Sequence, residues 1–207
     1  KAIVCKTHGA PENLALEEID DPVAAENEAV VQIYSASLNF PDGLQIQGKY
    51  QFQPPMPFTP GSEVGGIITC VGAGIQDFAV GDRVMATPGI GGLAEQVAVK
   101  ADGLRKIPDS MDFKTAAGFA MIYTTSYYAL KQRAQLQPGE TLLVLGASGG
   151  VGLAAVELGK LMGAKVIAAA SSDEKLEFVN RLNPDALLNY ADGELKLEEA
   201  HDVPVHT

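Results

Sequence analysis

The chain of 207 residues has a net charge of −11, with 26 acidic residues against 15 basic ones. This balance argues against nucleic-acid binding, which needs clustered lysine and arginine. Hydrophobic residues make up 46% and charged residues 20%, as in folded globular proteins. We expect no signal peptide or membrane span, because the apolar runs are short and broken. The two cysteines form no disulfide framework, so we expect a cytoplasmic protein.

The first hundred residues predict a β-rich unit. Short apolar or alternating segments are separated by glycine-rich turns, a pattern typical of a small irregular barrel. Between Asn39 and Pro60 we predict a long loop rich in proline, glutamine and aromatic residues, and such loops often carry function. The predicted strands are Lys1–Lys6, Leu14–Ile19, Ala29–Leu38, Val64–Val71, Arg83–Ala86 and Ala94–Val99.

Beyond residue 110 the pattern changes to helices and then to alternating strands and helices. Residues 112–133 place apolar side chains three and four apart, which predicts one helix or two. The alternation that follows is βαβαβ, which requires parallel strands and indicates an α/β fold. Its predicted elements are strand Leu142–Leu145, helix Gly150–Met162, strand Lys165–Ala170, helix Asp173–Leu182, strand Ala186–Tyr190 and a further helix at Glu194–Ala200.

A glycine-rich turn joins the first of these strands to its helix. Residues 146–152 read Gly-Ala-Ser-Gly-Gly-Val-Gly. Glycines let the backbone approach a phosphate closely, and the unpaired N–H groups of the helix start point towards it. A tight turn of any α/β protein is the alternative. The second strand and the residues after it, at the spacing of a ribose site, favour dinucleotide binding.

The end of the second strand distinguishes NAD from NADP. An acidic residue there binds the ribose hydroxyl of NAD and repels the 2′-phosphate of NADP. This chain has Ser171 and Ser172 there, with Lys175 close behind, and hydroxyls with a lysine suit a phosphate. Asp173 fits this interpretation poorly unless it points away as a charge at the start of the helix. The alternative is that Ser172 only caps the helix and Lys175 is a surface charge.

Four motifs occur in the order found in medium-chain dehydrogenase/reductases. They are residues 61–72 (Gly-Ser-Glu-Val-Gly-Gly and onward), 80–84, 138–140 and 146–152. The chain most resembles the quinone oxidoreductase (zeta-crystallin-like) branch, over residues 1–193. This resemblance implies a GroES-like catalytic domain at 1–110, connecting helices at 111–136 and the first half of an NADP-binding, doubly wound Rossmann domain at 137–207. It also implies an active site in the cleft between the domains, a chain incomplete at its C-terminus, and a homodimer when complete.

The zinc-ligand positions of the family's alcohol dehydrogenases hold other residues here. Ser62 replaces the histidine of their Gly-His-Glu motif, and residues 38–42 lack their cysteine. We therefore predict no catalytic or structural zinc. Without a metal to polarise the acceptor, hydride must go to a quinone or a conjugated carbonyl.

The resemblance assigns site residues for an NADPH cofactor. It places Asn39 and Thr125 beside the nicotinamide, and Tyr50 in the substrate cleft as a hydrogen-bond donor to the acceptor oxygen. Gly149 and Gly150 would let the backbone approach the pyrophosphate, and Val151 would bind it through its backbone N–H. Tyr190 would join Ser171, Ser172 and Lys175 around the 2′-phosphate. A packed aromatic role remains the alternative for both tyrosines.

Two other functions remain open from the sequence. One is a 2-enoyl thioester reductase, which performs the same hydride chemistry on an acyl carrier or coenzyme A substrate. The other is a non-catalytic NADP-binding protein. We predict that the 207-residue chain by itself binds NADPH weakly and turns over little or not at all.

Overall fold

The computed structural model describes residues 1–191. The chain divides into two compact units, the first from Lys1 to Met121 and the second beginning at Ile122. The helix predicted at Glu194–Ala200 lies outside the described residues. Within residues 1–191, no helix combines the length and the apolar character that a membrane crossing requires.

The first unit is built on a five-stranded antiparallel sheet in the order β6-β3-β4-β5-β7. Alternate side chains of its strands form the core, because successive residues of a strand point to opposite faces. A second, two-stranded ribbon pairs β1 with β2. The elements are β1 (Ala2–Val4), β2 (Ala15–Glu17), β3 (Glu28–Ser37), α1 (Phe40–Ile46), β4 (Glu63–Val71), β5 (Arg83–Ala86), β6 (Gln96–Lys100), β7 (Leu104–Lys106) and α2 (Phe113–Ala117).

The predicted strands of this unit are all present, with shifts of one or two residues at most ends. The prediction of an unbroken loop from Asn39 to Pro60 was wrong at its start, where α1 occupies Phe40–Ile46. Pro41 and Gly43 make this segment look irregular in sequence, but proline is well tolerated in the first turn of a helix. The short strand β7 was not predicted.

The second unit contains three parallel strands in the order β10-β9-β8. Its core lies between this sheet and the helices, with Val144, Val156, Val166 and Val179 among its buried side chains. The predicted βαβαβ alternation is confirmed, and β8 is an end strand of the described sheet. Helix α3 (Ala120–Tyr127) begins with the last two residues of the first unit and is continued by a π-helical turn at Tyr128–Arg133. The other elements are β8 (Thr141–Leu145), α4 (Gly150–Leu161), β9 (Lys165–Ala170), α5 (Asp173–Asn180) and β10 (Ala186–Asn189).

Candidate functional site

The glycine turn between β8 and α4 is built so closely that one of its positions admits only glycine. A Cβ atom on Gly152 would lie 2.4 Å from the carbonyl oxygen of Gly146 and 2.8 Å from Cα of Ala147. The same atom on Gly149 would lie 3.5 Å from the Gly146 oxygen, an ordinary contact. Gly146 itself has a φ of +62°, which favours glycine. Gly152 is therefore required by packing, whereas Gly149 leaves space above the turn.

The start of α4 offers backbone donors to a ligand. The first N–H groups of a helix have no acceptor within the helix, and in the described part of the chain no side chain caps this one, since its N-cap is Gly149. The donors at Gly150 and Val151 are on exposed residues. Together with the helix dipole, these N–H groups can bind an anion such as a pyrophosphate.

Buried Ser126, on α3, forms a hydrogen bond to the backbone of this turn. Its Oγ donates a hydrogen bond of 2.8 Å to the carbonyl oxygen of Val151. The Cγ2 atom of Ile122 lies only 3.1 Å from where a Cβ on Gly150 would stand. Helix α3 therefore packs directly against the glycine turn. The contact joins residues 25 positions apart, and nothing in the sequence indicated it.

Helix α3 also carries Thr125 and a tyrosine bonded to α4. Thr125, predicted to lie beside the nicotinamide, is exposed and precedes Ser126 directly. The hydroxyl of Tyr123 donates a short hydrogen bond to Glu157. This bond, together with burial, raises the pKa of Tyr123 to about 12. Thr125 thus stands on a helix that is tied to α4 at two points.

The four residues predicted to bind a 2′-phosphate lie at the carboxyl ends of β9 and β10. Lys175 Nζ donates to Ser171 Oγ over 2.9 Å. Ser172 caps α5, its Oγ accepting from the Lys175 backbone N–H at 3.4 Å. Tyr190 directly follows β10, and its N–H donates to the carbonyl oxygen of Ala170 over 3.1 Å. The structure thus brings these residues together. Within this cluster, Ser172 is also the N-cap of α5.

Asp173, the residue that fitted this cluster poorly, has a partner that the sequence did not indicate. Asn189, on β10, donates from Nδ2 to Asp173 Oδ1 over 2.6 Å. Asp173 is also the first residue of α5, where a negative charge is stabilised by the helix dipole. Its carboxylate is therefore directed towards β10.

In the first unit, the side chain of Asn39 is held by two acceptors. Its Nδ2 donates to Ser37 Oγ at 3.1 Å and to Glu63 Oε2 at 3.2 Å. Both amide hydrogens thereby have acceptors, which fixes the orientation of the amide. The backbone N–H of Asn39 donates to Asp42 Oδ2 at 2.7 Å and so starts α1.

Glu63 is a fully buried carboxylate at the start of β4. Its second oxygen, Oε1, accepts the backbone N–H of Met121 at 2.9 Å, at the start of α3. Burial raises the pKa of Glu63, and the hydrogen bonds from Met121 and Asn39 oppose that rise. The carboxylate thus joins three elements of the chain around Asn39. The sequence identified Glu63 only as part of a motif.

The neighbouring polar groups include three buried oxygens without a protein partner among residues 1–191. They are Oδ1 of Asp42, Oε1 of Gln45 and Oγ of Ser62. Buried oxygens of this kind are normally satisfied by water or a ligand. In the same residues, no group of three or more histidine, cysteine, aspartate or glutamate side chains is placed to hold a metal ion. Tyr50 is half-buried in the irregular segment after α1.

Comparison with known proteins places both units. Residues 25–109 match the family model of the alcohol dehydrogenase GroES-like domain, and residues 150–203 match that of the zinc-binding dehydrogenases. A quinone oxidoreductase-like protein 2 homolog from Nematostella vectensis is 39% identical over 202 residues, covering 95% of this chain and 54% of its own length. This chain spans about half the length of the curated relatives it matches.

Solved structures give the same assignment. The quinone oxidoreductase of Escherichia coli, solved in complex with NADPH, has a TM-score of 0.90 and 31% identity, covering 96% of this chain and 62% of its own. A probable oxidoreductase from Mycobacterium abscessus has a TM-score of 0.87 and 39% identity, covering 96% of this chain and 63% of its own. The fold is a GroES-like domain followed by a Rossmann-type parallel sheet, and the chain belongs to the medium-chain dehydrogenase/reductase superfamily, where it is quinone oxidoreductase-like.

Proposed function

We propose that the complete protein is an oxidoreductase that uses NADPH to reduce a quinone or a conjugated carbonyl, without zinc. The observation that carries this proposal is the pair formed by Lys175 Nζ and Ser171 Oγ, 2.9 Å apart, directly after β9. A cation and a hydroxyl at this position suit the 2′-phosphate of NADPH through charge-assisted hydrogen bonds. The names of the relatives, and the Escherichia coli structure solved with NADPH, support the same assignment.

The residues of the second unit fit the cofactor. The uncapped start of α4 supplies the N–H groups of Gly150 and Val151 for the pyrophosphate, and Gly149 leaves room for its approach. Ser172 and Tyr190 would complete the 2′-phosphate site beside Ser171 and Lys175. When bound, the nicotinamide supplies the hydride, and the protein supplies binding, orientation and hydrogen bonds.

Asn39, Thr125 and Tyr50 are the residues that we assign to the nicotinamide and the acceptor. Asn39 would position the nicotinamide, because its amide is already fixed by Ser37 and Glu63. Thr125 would contact the nicotinamide from α3. Tyr50 would donate its hydroxyl proton to a hydrogen bond with the acceptor oxygen, on which negative charge develops as hydride arrives.

The residues that replace the ligands support zinc independence. Ser62 occupies the histidine position, and a neutral serine hydroxyl is a poor ligand compared with the imidazole and thiolate groups that zinc prefers. An acceptor that is reduced without a Lewis acid must already be electrophilic, as quinones and conjugated carbonyls are. We expect a metal-free preparation, treated with a chelator, to retain full activity.

The cofactor assignment is tested by titrating NADPH and NADH against the protein expressed from its complete reading frame, followed by nucleotide fluorescence. Lys175→Ala should weaken NADPH binding by about ten- to a hundredfold and leave NADH binding unchanged, since a hydrogen bond to a charged group contributes about 1.5–3 kcal/mol. Lys165→Ala is the matched control, because Lys165 is an exposed lysine at the opposite end of β9. Equal loss of NADPH and NADH binding in Lys175→Ala would refute the assignment.

The reaction is tested by NADPH oxidation against a panel of quinones, enones and enoyl thioesters. Turnover of quinones or enones supports the proposal. Turnover confined to enoyl thioesters identifies a thioester reductase instead, and tight NADPH binding without turnover identifies a non-catalytic binding protein. Weak turnover by the 207-residue chain alone, a homodimeric complete protein and a cytoplasmic location remain predictions.

A further inference from the structure

We infer that Asn189 determines the dinucleotide preference by holding the carboxylate of Asp173 away from the 2′-phosphate. This inference rests on the NADPH site proposed above and adds a residue that would not itself touch the cofactor. Asn189 is thus a positioning residue that acts through Asp173. Without it, Asp173 would stand as the acidic residue that favours NADH.

The backbone places Asn189 on the strand next to β9, in register with the end of that strand. In the parallel pairing of β10 with β9, the Cα of Asn189 is the partner of Ala170, the residue directly before Ser171. Asp173 follows Ser171 by two positions and begins α5. The 2.6 Å hydrogen bond from Asn189 Nδ2 to Asp173 Oδ1 therefore spans from β10 to the helix at the edge of the cluster.

The orientation of the Asn189 amide is fixed by a second contact. Its Oδ1 accepts the backbone N–H of Ala191 at 2.9 Å. Rotating the amide by half a turn would place its NH₂ group against this N–H and its oxygen against the Asp173 carboxylate. Both contacts would then be lost, so the side chain presents a donor to Asp173.

The charge of Asp173 is the reason why this contact decides specificity. A carboxylate near the end of the second strand accepts a hydrogen bond from the ribose hydroxyl of NAD and repels the phosphate of NADP. Asp173 is exposed and its backbone position is close to Ser171 and Lys175. Bonded to Asn189, its carboxylate is directed to β10. Released, it can compete for Lys175 and repel the phosphate.

Three variants and one double variant test this inference. Asn189→Ala removes the donor, and Asn189→Asp keeps the size and the acceptor for Ala191 N–H but replaces the donor with a like charge. Asp173→Asn removes the charge that we hold responsible. The measured quantity is the ratio of the dissociation constants for NADPH and NADH, from fluorescence titration of the complete protein, with thermal melting as a check on folding.

We expect Asn189→Ala to shift this ratio towards NADH about fivefold, the scale of an exposed charge pair, and Asn189→Asp to shift it further. Asp173→Asn alone should change the ratio little, because the carboxylate is already held away. Asp173→Asn in the Asn189→Ala background should restore the NADPH preference, which a merely structural role of Asn189 would not allow.

The failure of this inference is distinct from failure of the proposed function. If the unaltered protein binds NADPH no better than NADH, the proposed NADPH site is wrong. If it prefers NADPH but Asn189→Ala and Asn189→Asp leave the ratio unchanged, or the double variant does not recover, Asn189 has no part in specificity. A large gain in NADPH affinity from Asp173→Asn alone would show that Asn189 does not restrain the carboxylate.

Discussion

Replacing either of two glycines in the turn before α4 by alanine should change the stability of the protein differently: Gly152→Ala should lower it, and Gly149→Ala should not. Gly152→Ala places a Cβ 2.4 Å from a backbone oxygen, so these atoms must separate by at least about 0.6 Å to reach the shortest contact that real Cβ atoms show. Both partners belong to backbone, which cannot rotate away. Overpacking of this kind costs about 1–3 kcal/mol, and the better helix propensity of alanine offsets at most about 1 kcal/mol.

The expected net loss for Gly152→Ala is about 1–2 kcal/mol of unfolding free energy. For a chain of this size that corresponds to a fall in Tm of about 2–4 °C per kcal/mol. Because the strain displaces the turn, the N–H groups that we propose for the pyrophosphate move as well, and NADPH binding should weaken about tenfold or more. Thermal melting without nucleotide measures the first effect, and fluorescence titration measures the second.

Gly149→Ala is the matched control in the same turn. Its φ of −78° and ψ of 163° are accessible to alanine, and its Cβ would make only an ordinary contact. We expect the Tm to stay unchanged or rise slightly, since alanine reduces the freedom of the unfolded chain, while NADPH binding still weakens. If Gly149→Ala lowers the Tm as much as Gly152→Ala does, the assignment of packing to one glycine and ligand approach to the other is refuted.

Three further outcomes follow from buried or fixed polar groups. Glu63→Gln should leave either Met121 N–H or Asn39 Nδ2 without its acceptor. Since burial raises the pKa of Glu63, the folded state binds more protons than the unfolded state above the ordinary glutamate pKa. The unfolding free energy should therefore fall as pH rises through the raised value, and the glutamine variant should lack this slope; equal slopes in denaturant titrations across pH would contradict it. Ser126→Ala should lower the unfolding free energy by about 1 kcal/mol and weaken NADPH binding. The exposed control Ser110→Ala should change neither quantity. A binding curve unaltered in Ser126→Ala would count against the role of Ser126. Tyr123, with a pKa of about 12, should lose its stabilising contribution only as pH rises from the ordinary tyrosine value through 12. In a titration followed by tyrosinate absorbance, Tyr123→Phe should therefore lack a late-titrating group that the unaltered protein shows.

The sequence predicted well the elements whose ends carry their own signals. The predicted bounds of strands Arg83–Ala86 and Lys165–Ala170 match the structure at both ends. In each case a glycine lies two positions before the strand, and a polar residue follows it directly. Helix α1 was missed for the opposite reason. Its proline and glycine are typical of loops, and its start depends on the contact between Asn39 N–H and Asp42 Oδ2, which periodicity does not reveal.

The groups that we propose to face the ligand could also be found from the sequence, because they are local. The glycine turn and the Ser171–Lys175 pair each lie within seven residues or fewer, so spacing alone brings them together. Their supports are not local. Asn39 is held by Glu63 from 24 positions away, the turn by Ser126 from 25, and Asp173 by Asn189 from 16. Those contacts exist only once the strands and helices have packed.

These three supports act by the same physical means, in different parts of the chain. Each holds a polar group at a protein partner, so that the group is already fixed in one arrangement before any ligand arrives: the amide hydrogens of Asn39, the carbonyl of Val151 and the carboxylate of Asp173. Among the described residues, the N–H groups at the start of α4 have no side-chain cap, and Lys175 Nζ is held by Ser171 Oγ. Preorganisation of this kind favours binding because less conformational freedom is lost on association. It follows that changes at Glu63, Ser126 and Asn189 should alter affinity and specificity without removing any atom that touches the ligand.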